Sequence, residues 1–170
     1  MCGNGSRVTP FRMTGNAMYQ EIVVGTDGSG GADIAVDAAI QLAKLTGATL
    51  HVVNAHRVPS AHRVSAGQAG VPAAERVTPD DAIRGEAQRI CDRTIERARE
   101  VGVTAVSHLV GAEAADAILR VAEEAAADLI VVGNRGMSGV RHLVLGSVPN
   151  RLSHHCECSL LIVDTTPARI

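Results

Sequence analysis

The sequence predicts an α/β protein, a doubly wound five-stranded parallel sheet with helices on both faces. Three observations predict it. Short runs rich in Val, Leu and Ile alternate with longer segments whose apolar residues recur at helical spacing. Those short runs are apolar throughout, as strands covered on both faces are. The two most glycine-rich turns, Asp27-Gly28-Ser29-Gly30-Gly31 and Gly133-Asn134-Arg135-Gly136, each follow such a run. In a sheet of strand order 3-2-1-4-5 the order reverses between strands one and four. Ligands of such sheets lie beyond the strand C-termini at that reversal. This order therefore brings both glycine turns to one crevice.

Taken in order, residues 1–18 show no periodicity and are expected to form a disordered, dispensable tail, with the folded domain spanning 19–165 and a short tail at 166–170. Tyr19–Thr26 reads as the first strand. Ala32–Thr46 reads as a helix, with Ala35, Val36, Ala39, Ile40, Leu42 and Ala43 inward, Lys44 in the last turn and Gly47 as its stop. Ala48–Asn54 is the second strand. Residues 55–77 carry Pro, Ser, Gly, His and Arg without pattern, as a functional lid or a disordered loop would. Thr78-Pro79-Asp80-Asp81 is a helix start: a capping hydroxyl, Pro in the first turn, and acids at the positive end of the dipole. Its buried stripe is Ile83, Ala87, Ile90, Cys91, Thr94, Ile95, Ala98 and Val101, and Gly102 ends it. The Arg and Glu residues from Arg84 to Glu100 form a solvated face with i,i+4 pairs.

Val103–Val110 is the third strand and Glu113–Ala127 the third helix, with Ala117, Ile118, Val121, Ala122 and Ala125 inward. Asp128–Val132 is the fourth strand, Val148–His155 a short fourth helix, and Ser159–Asp164 the fifth strand. In this topology the fifth strand is an exposed apolar edge that needs cover.

Composition narrows the chemistry. The chain has 170 residues, a formal net charge of -2 and 1% aromatic residues, Phe11 and Tyr19. Without a basic field or aromatic platforms, nucleic acid is excluded as a partner. Lys44 is the only lysine, so there is neither a Walker Gly-Lys-Ser/Thr triplet nor the strand lysine of a protein kinase. No apolar run reaches the length of a membrane span. Four unevenly placed Cys do not make a disulfide framework, and the expected setting is the reducing cytoplasm.

Gly133, Gly136 and Gly146-Ser147 form a fixed frame between an apolar strand and a helix start. Glycines allow close backbone approach, and a helix N-terminus favours an anion, so the frame suits a phosphate. Arg135, Arg141 and His142 are further groups in it that can reach a phosphate. Ser29-Gly30-Gly31-Ala32-Asp33 resembles the loop of ATP pyrophosphatases, but Ile34 stands where their last Ser would be. His154-His155-Cys156-Glu157-Cys158 has the composition of a metal cluster. It spans a helix end and a strand start, where alternate residues face opposite ways, so buried thiols and helix-end histidines are the expected reading.

The segments VVGTDGS (23–29), LHVVNAH (50–56), DLIVVGNRG (128–136) and LGSVPNRLSHHCECSLLIV (145–163) resemble the universal stress protein family, in its nucleotide-binding branch. The resemblance implies an adenine-nucleotide alpha-hydrolase-like fold and an ATP-binding signature in Gly133, Gly136, Gly146 and Ser147. It places Asp27 near the adenine and ribose and the Val52 backbone on the adenine. It places Val132, Gly133, Gly136, Gly146, Ser147 and Val148 around the ribose and phosphates. Pro149 departs from the small polar residue of many members. The implied ligand is ATP, with Mg or Mn, and cyclic AMP is the alternative. The implied role is a stress-response regulator without efficient turnover, homodimeric through Ser159–Asp164, with an unknown protein partner. The competing reading is a slow ATPase or an adenylating enzyme.

Overall fold

The structure is a computed structural model that describes residues 18–56, 79–134 and 145–165. Strands and helices alternate in the order β1 (Glu21–Gly25), α1 (Gly30–Thr46), β2 (Thr49–Ala55), α2 (Pro79–Glu100), β3 (Ala105–Val110), α3 (Ala114–Glu124), β4 (Leu129–Gly133), α4 (Ser147–His155) and β5 (Ser159–Val163). Every strand pairing is parallel, and the order is β3-β2-β1-β4-β5, as the sequence predicts. The expected N-terminal tail, apart from Met18, and the tail at 166–170 lie outside the described residues. So do most of the expected loop at 55–77 and Thr78, the expected cap of α2.

The helix ends follow from local chemistry. Ser29 caps α1, its Oγ accepting from Ala32 N–H at 3.2 Å. Gly47 closes α1 in the left-handed region at φ 74°, where its N–H donates to Ala43 O. The core has two layers, one on each face of the sheet. Ile22, Val24, Leu50, Val52 and Val131 meet Val36, Ala39, Ala43, Cys91 and Ala98 of α1 and α2 on one face. Val23, Val53, Ile130 and Val132 meet Ala117, Ile118, Val121 and Leu152 of α3 and α4 on the other. Apart from Glu21, His51 and Asn54, both faces of the three central strands are thus apolar, which is why those strands largely lack alternation.

Three expectations need correction. Ile83 is not in the buried stripe of α2; it is 39% exposed. Asp81, Ala82, Ile83 and Arg84 are all exposed, so the buried stripe begins at Ala87. The ion pairs along α2 fall at i,i+3, Arg89–Glu86 and Arg99–Glu96, while Arg97 leaves the helix to bind Asp33 and Asp37 of α1. Finally, β3 is not covered on both faces: it is an edge strand with Ser107 exposed and Val106 43% exposed. Among the described residues no helix is long and apolar enough to cross a membrane.

Candidate functional site: the crevice at the switch point

The chain leaves β1 and β4 towards opposite faces, which opens a crevice above their C-terminal ends. Their register runs Ile22–Leu129, Val23–Ile130 and Val24–Val131, so the two strands end side by side. Adjacent strands lie about 4.8 Å apart. The turn that holds Asp27 and the β4 end at Val132 and Gly133 thus follow neighbouring strands.

Three pieces of chain wall this crevice. The first is the β1–α1 turn. Thr26 is buried and takes its place in the sheet through N–H donation to Val53 O at 2.9 Å. Its hydroxyl accepts from Gly28 N–H at 3.2 Å, and Asp27 Oδ1 accepts from Ser29 N–H at 3.0 Å. These local bonds hold the exposed Asp27 carboxylate above the strand end, able to accept hydrogen bonds from hydroxyls.

The second piece is the end of β2. Asn54 is buried and donates from Nδ2 to Thr26 O at 2.9 Å. The β1–β2 register stops at Gly25 beside Val53, whereas β2 runs on to Ala55, so the β1-facing backbone of Ala55 lies beyond the ladder. Val52 sits deeper. It is wholly buried and level with Val24, three residues below the height of Asp27, or about 10 Å along a strand. Leu50 N–H donates to Thr104 O and His56 N–H to Val110 O, so the even residues between them, Val52 included, turn their backbones to β3.

The third piece is the start of α4. Gly146 is its N-cap and brings no side chain to cap it, and the first turn carries no acid. The first intrahelical bond is Asn150 N–H to Gly146 O at 3.0 Å. Ser147 and Val148 therefore present N–H groups without an intrahelical acceptor, beside the exposed Ser147 hydroxyl. Pro149 is buried at a position where the helix lacks an acceptor for N–H in any case, so it fits the first turn. Arg135, Gly136, Arg141 and His142 lie outside the described residues.

Sequence reasoning passed over Asn134. Its N–H donates to Val163 O at 2.8 Å and its carbonyl accepts from Gly146 N–H at 3.0 Å. Its side chain donates to Asp164 Oδ1 at 2.8 Å and accepts at Oδ1 from Thr165 N–H at 3.1 Å and Thr165 Oγ1 at 2.6 Å. An Asn directly after a buried strand, with Asp and Thr after the neighbouring strand, was the available signal.

A second polar cluster lies away from the crevice. Glu21, His51 and His108 share the sheet face that α3 covers, each two residues before Val23, Val53 or Val110 of that face. His51 bonds Glu21 Oε2 through Nε2 at 2.8 Å and His108 Nε2 through Nδ1 at 2.9 Å. The ring centroids are 5.1 Å apart and the rings are tilted by 35°, so the two imidazoles meet through their ring nitrogens. Burial lowers the His108 pKa, His51 lowers it further, and Glu124 of α3 opposes both. Cys91 is buried, and desolvation pushes its thiol up to about 11; Cys158 is raised to about 11 by the same cause. Among the described residues no three His, Cys, Asp or Glu groups are arranged to hold a metal ion.

The fold defines the class: a doubly wound, all-parallel α/β protein whose strand order reverses between β1 and β4. Within that class the chain belongs to the Universal stress protein family, whose profile matches residues 18–164. It is 35% identical over 147 residues to universal stress protein YxiE of Bacillus subtilis, covering 86% of this chain and 99% of that protein. It is 37% identical over 159 residues to universal stress protein Rv1636 of Mycobacterium tuberculosis, covering 87% and 98%. A solved universal stress protein in complex with cAMP aligns with a TM-score of 0.65 at 32% identity, over 87% of this chain and 98% of that one.

Proposed function

We propose that this chain is a cytoplasmic stress-response regulator of the nucleotide-binding branch, which holds an adenine nucleotide in the switch-point crevice without efficient turnover. The observation that carries the reading is the start of α4, which has no capping side chain and no acid in its first turn, in a sheet whose order reverses between β1 and β4. Ser147 and Val148 N–H and the Ser147 hydroxyl donate to phosphate oxygens. The Gly133, Gly136 and Gly146 frame keeps Cβ atoms from the phosphates, and Arg135 neutralises the distal one. Val132 closes the floor beneath the ribose. Asp27 accepts from ribose hydroxyls, where a carboxylate stays clear of the phosphates. The backbone of β2 reads the adenine, at Val52 as the resemblance implies or at Ala55, which lies beyond the β1 ladder. The solved relative in complex with cAMP supports an adenine nucleotide as the ligand class. ATP, with Mg or Mn, is the first choice and cyclic AMP the second.

Protein purified without added nucleotide is denatured and its small molecules identified by mass spectrometry. The reading expects ATP, ADP or cyclic AMP, and Gly133→Val to abolish their recovery while the far-ultraviolet spectrum stays unchanged. No adenine nucleotide, together with no thermal shift on adding any, defeats it. Fast pyrophosphate release in a single turnover transfers the chain to the ATP-using enzymes, the adenylating class first. The exposed edge β5, with Leu161 at 36% exposure, is the proposed two-fold homodimer contact. The residues 19–165 are the proposed functional domain.

A further inference from the structure

We propose that Asn134 is a positioning residue for the crevice, acting together with Thr165 and Asp164 to fix the start of α4 over the end of β4. The inference rests on the nucleotide reading above and adds three residues that need not touch the ligand. Five hydrogen bonds meet at Asn134, and they join three separate pieces of chain. Its main chain does the first half of the work. N–H donation to Val163 continues the β4–β5 ladder one residue past Gly133, and the carbonyl then accepts from Gly146 N–H. That second bond sets Gly146, and with it the Ser147 and Val148 amides, at a fixed height above the sheet.

The side chain does the second half. A main-chain carbonyl can hold Gly146 in place only if its own peptide plane is fixed, and Asn134 stands at a strand end where the ladder runs out. Its Oδ1 accepts two hydrogen bonds from Thr165 and its Nδ2 donates to Asp164, so the residue cannot turn without breaking them. Asp164 and Thr165 directly follow β5. The chain end beyond one edge of the sheet thereby sets the orientation of the helix start that faces the nucleotide. In sites of this kind a misplacement of about 1 Å weakens the interactions that depend on alignment.

The test uses Asn134→Ala, Thr165→Val and Thr165→Ser in the full chain, with ATP and cyclic AMP as probes in parallel titration calorimetry. Asn134→Ala is expected to weaken the nucleotide that the wild type binds roughly tenfold, the equivalent of one or two lost hydrogen bonds. Thr165→Val is expected to weaken it about threefold, and Thr165→Ser, which keeps the hydroxyl, to match the wild type. In the free protein, the amide signals of Gly146, Ser147 and Val148 are expected to shift in Thr165→Val and not in Thr165→Ser. Unchanged affinity in Asn134→Ala overturns the inference. So does an affinity loss matched by a fall in the melting temperature with those three signals unmoved, since that is a purely structural role. A wild type that binds neither nucleotide defeats the nucleotide reading, and the amide signals then still decide whether Asn134 and Thr165 position α4.

Discussion

Gly28 stands between Asp27 and the cap of α1, and it should be the least replaceable described glycine of the crevice. Its φ is 74°, in the left-handed region, and a Cβ there would lie 2.7 Å from Ile90 Cδ1 and 2.9 Å from Ile90 Cγ1. Gly28→Ala thus combines two costs. The backbone strain is about 1 kcal/mol for a residue with a side chain. The overlap with Ile90 adds about 1–3 kcal/mol, towards the lower end because Cδ1 is the mobile tip of its side chain. The expected total is about 2–3 kcal/mol. Gly47 and Gly102 separate the two costs: their φ values are 74° and 81°, and a Cβ at either meets nothing within 4 Å. Gly47→Ala and Gly102→Ala should each cost about 1 kcal/mol. Combining Gly28→Ala with Ile90→Ala should recover the overlap alone, a coupling of about 1–2 kcal/mol. Urea unfolding followed by far-ultraviolet circular dichroism measures all of these. The reasoning fails if Gly28→Ala costs no more than Gly47→Ala, or if its cost is undiminished when Ile90 is Ala.

Stability should depend on His108. Its pKa is lowered by burial and by His51, so the unfolded chain binds its proton more readily. The stabilisation is present above the unfolded value of about 6.5 and is lost as the pH falls through it. The melting temperature should drop between pH 7.5 and 5.5, and less so in His108→Gln; an equal drop in both would remove His108 as the cause. Iodoacetamide at pH 8 should leave Cys91 and Cys158 unmodified until the protein is denatured, since both thiols titrate near 11; mass spectrometry showing rapid native alkylation of Cys91 contradicts its burial. Leu161→Glu on β5 should turn a dimer into a monomer in light scattering, and a persisting dimer places the contact elsewhere.

The fold was largely legible because its signals are local. Unbroken Val and Ile runs, the Ser29 cap and the Gly47 stop each act within a few residues, and the reversal rule then linked Asp27 to Gly133 across the sheet. What escaped depends on distances that no local pattern encodes. Ile83 matches the helical period, yet it lies in a turn of α2 whose residues 81–84 are all exposed, and periodicity does not report where a partner ends. Val52 was placed by resemblance, and its pairing with Ser107 of β3 follows from register. Asn134 and Thr165 are separated by 31 positions, and only the pairing of β4 with β5 makes them neighbours. Glu21, His51 and His108 come from three strands and become one network through the same kind of pairing.

The bond between Asn134 O and Gly146 N–H has a consequence for how this architecture can change over generations. It fastens the two ends of the intervening segment to each other, so the sheet and α4 do not feel that segment's length. Closing a longer loop across a fixed gap is cheap, about 0.6 kcal/mol for each doubling. Insertions, deletions and rewritten sequence between these two residues can therefore accumulate with little penalty to folding. The fastening makes the segment an exchangeable cassette, and descendants of this chain could change what they recognise there without having to re-evolve the domain that carries it.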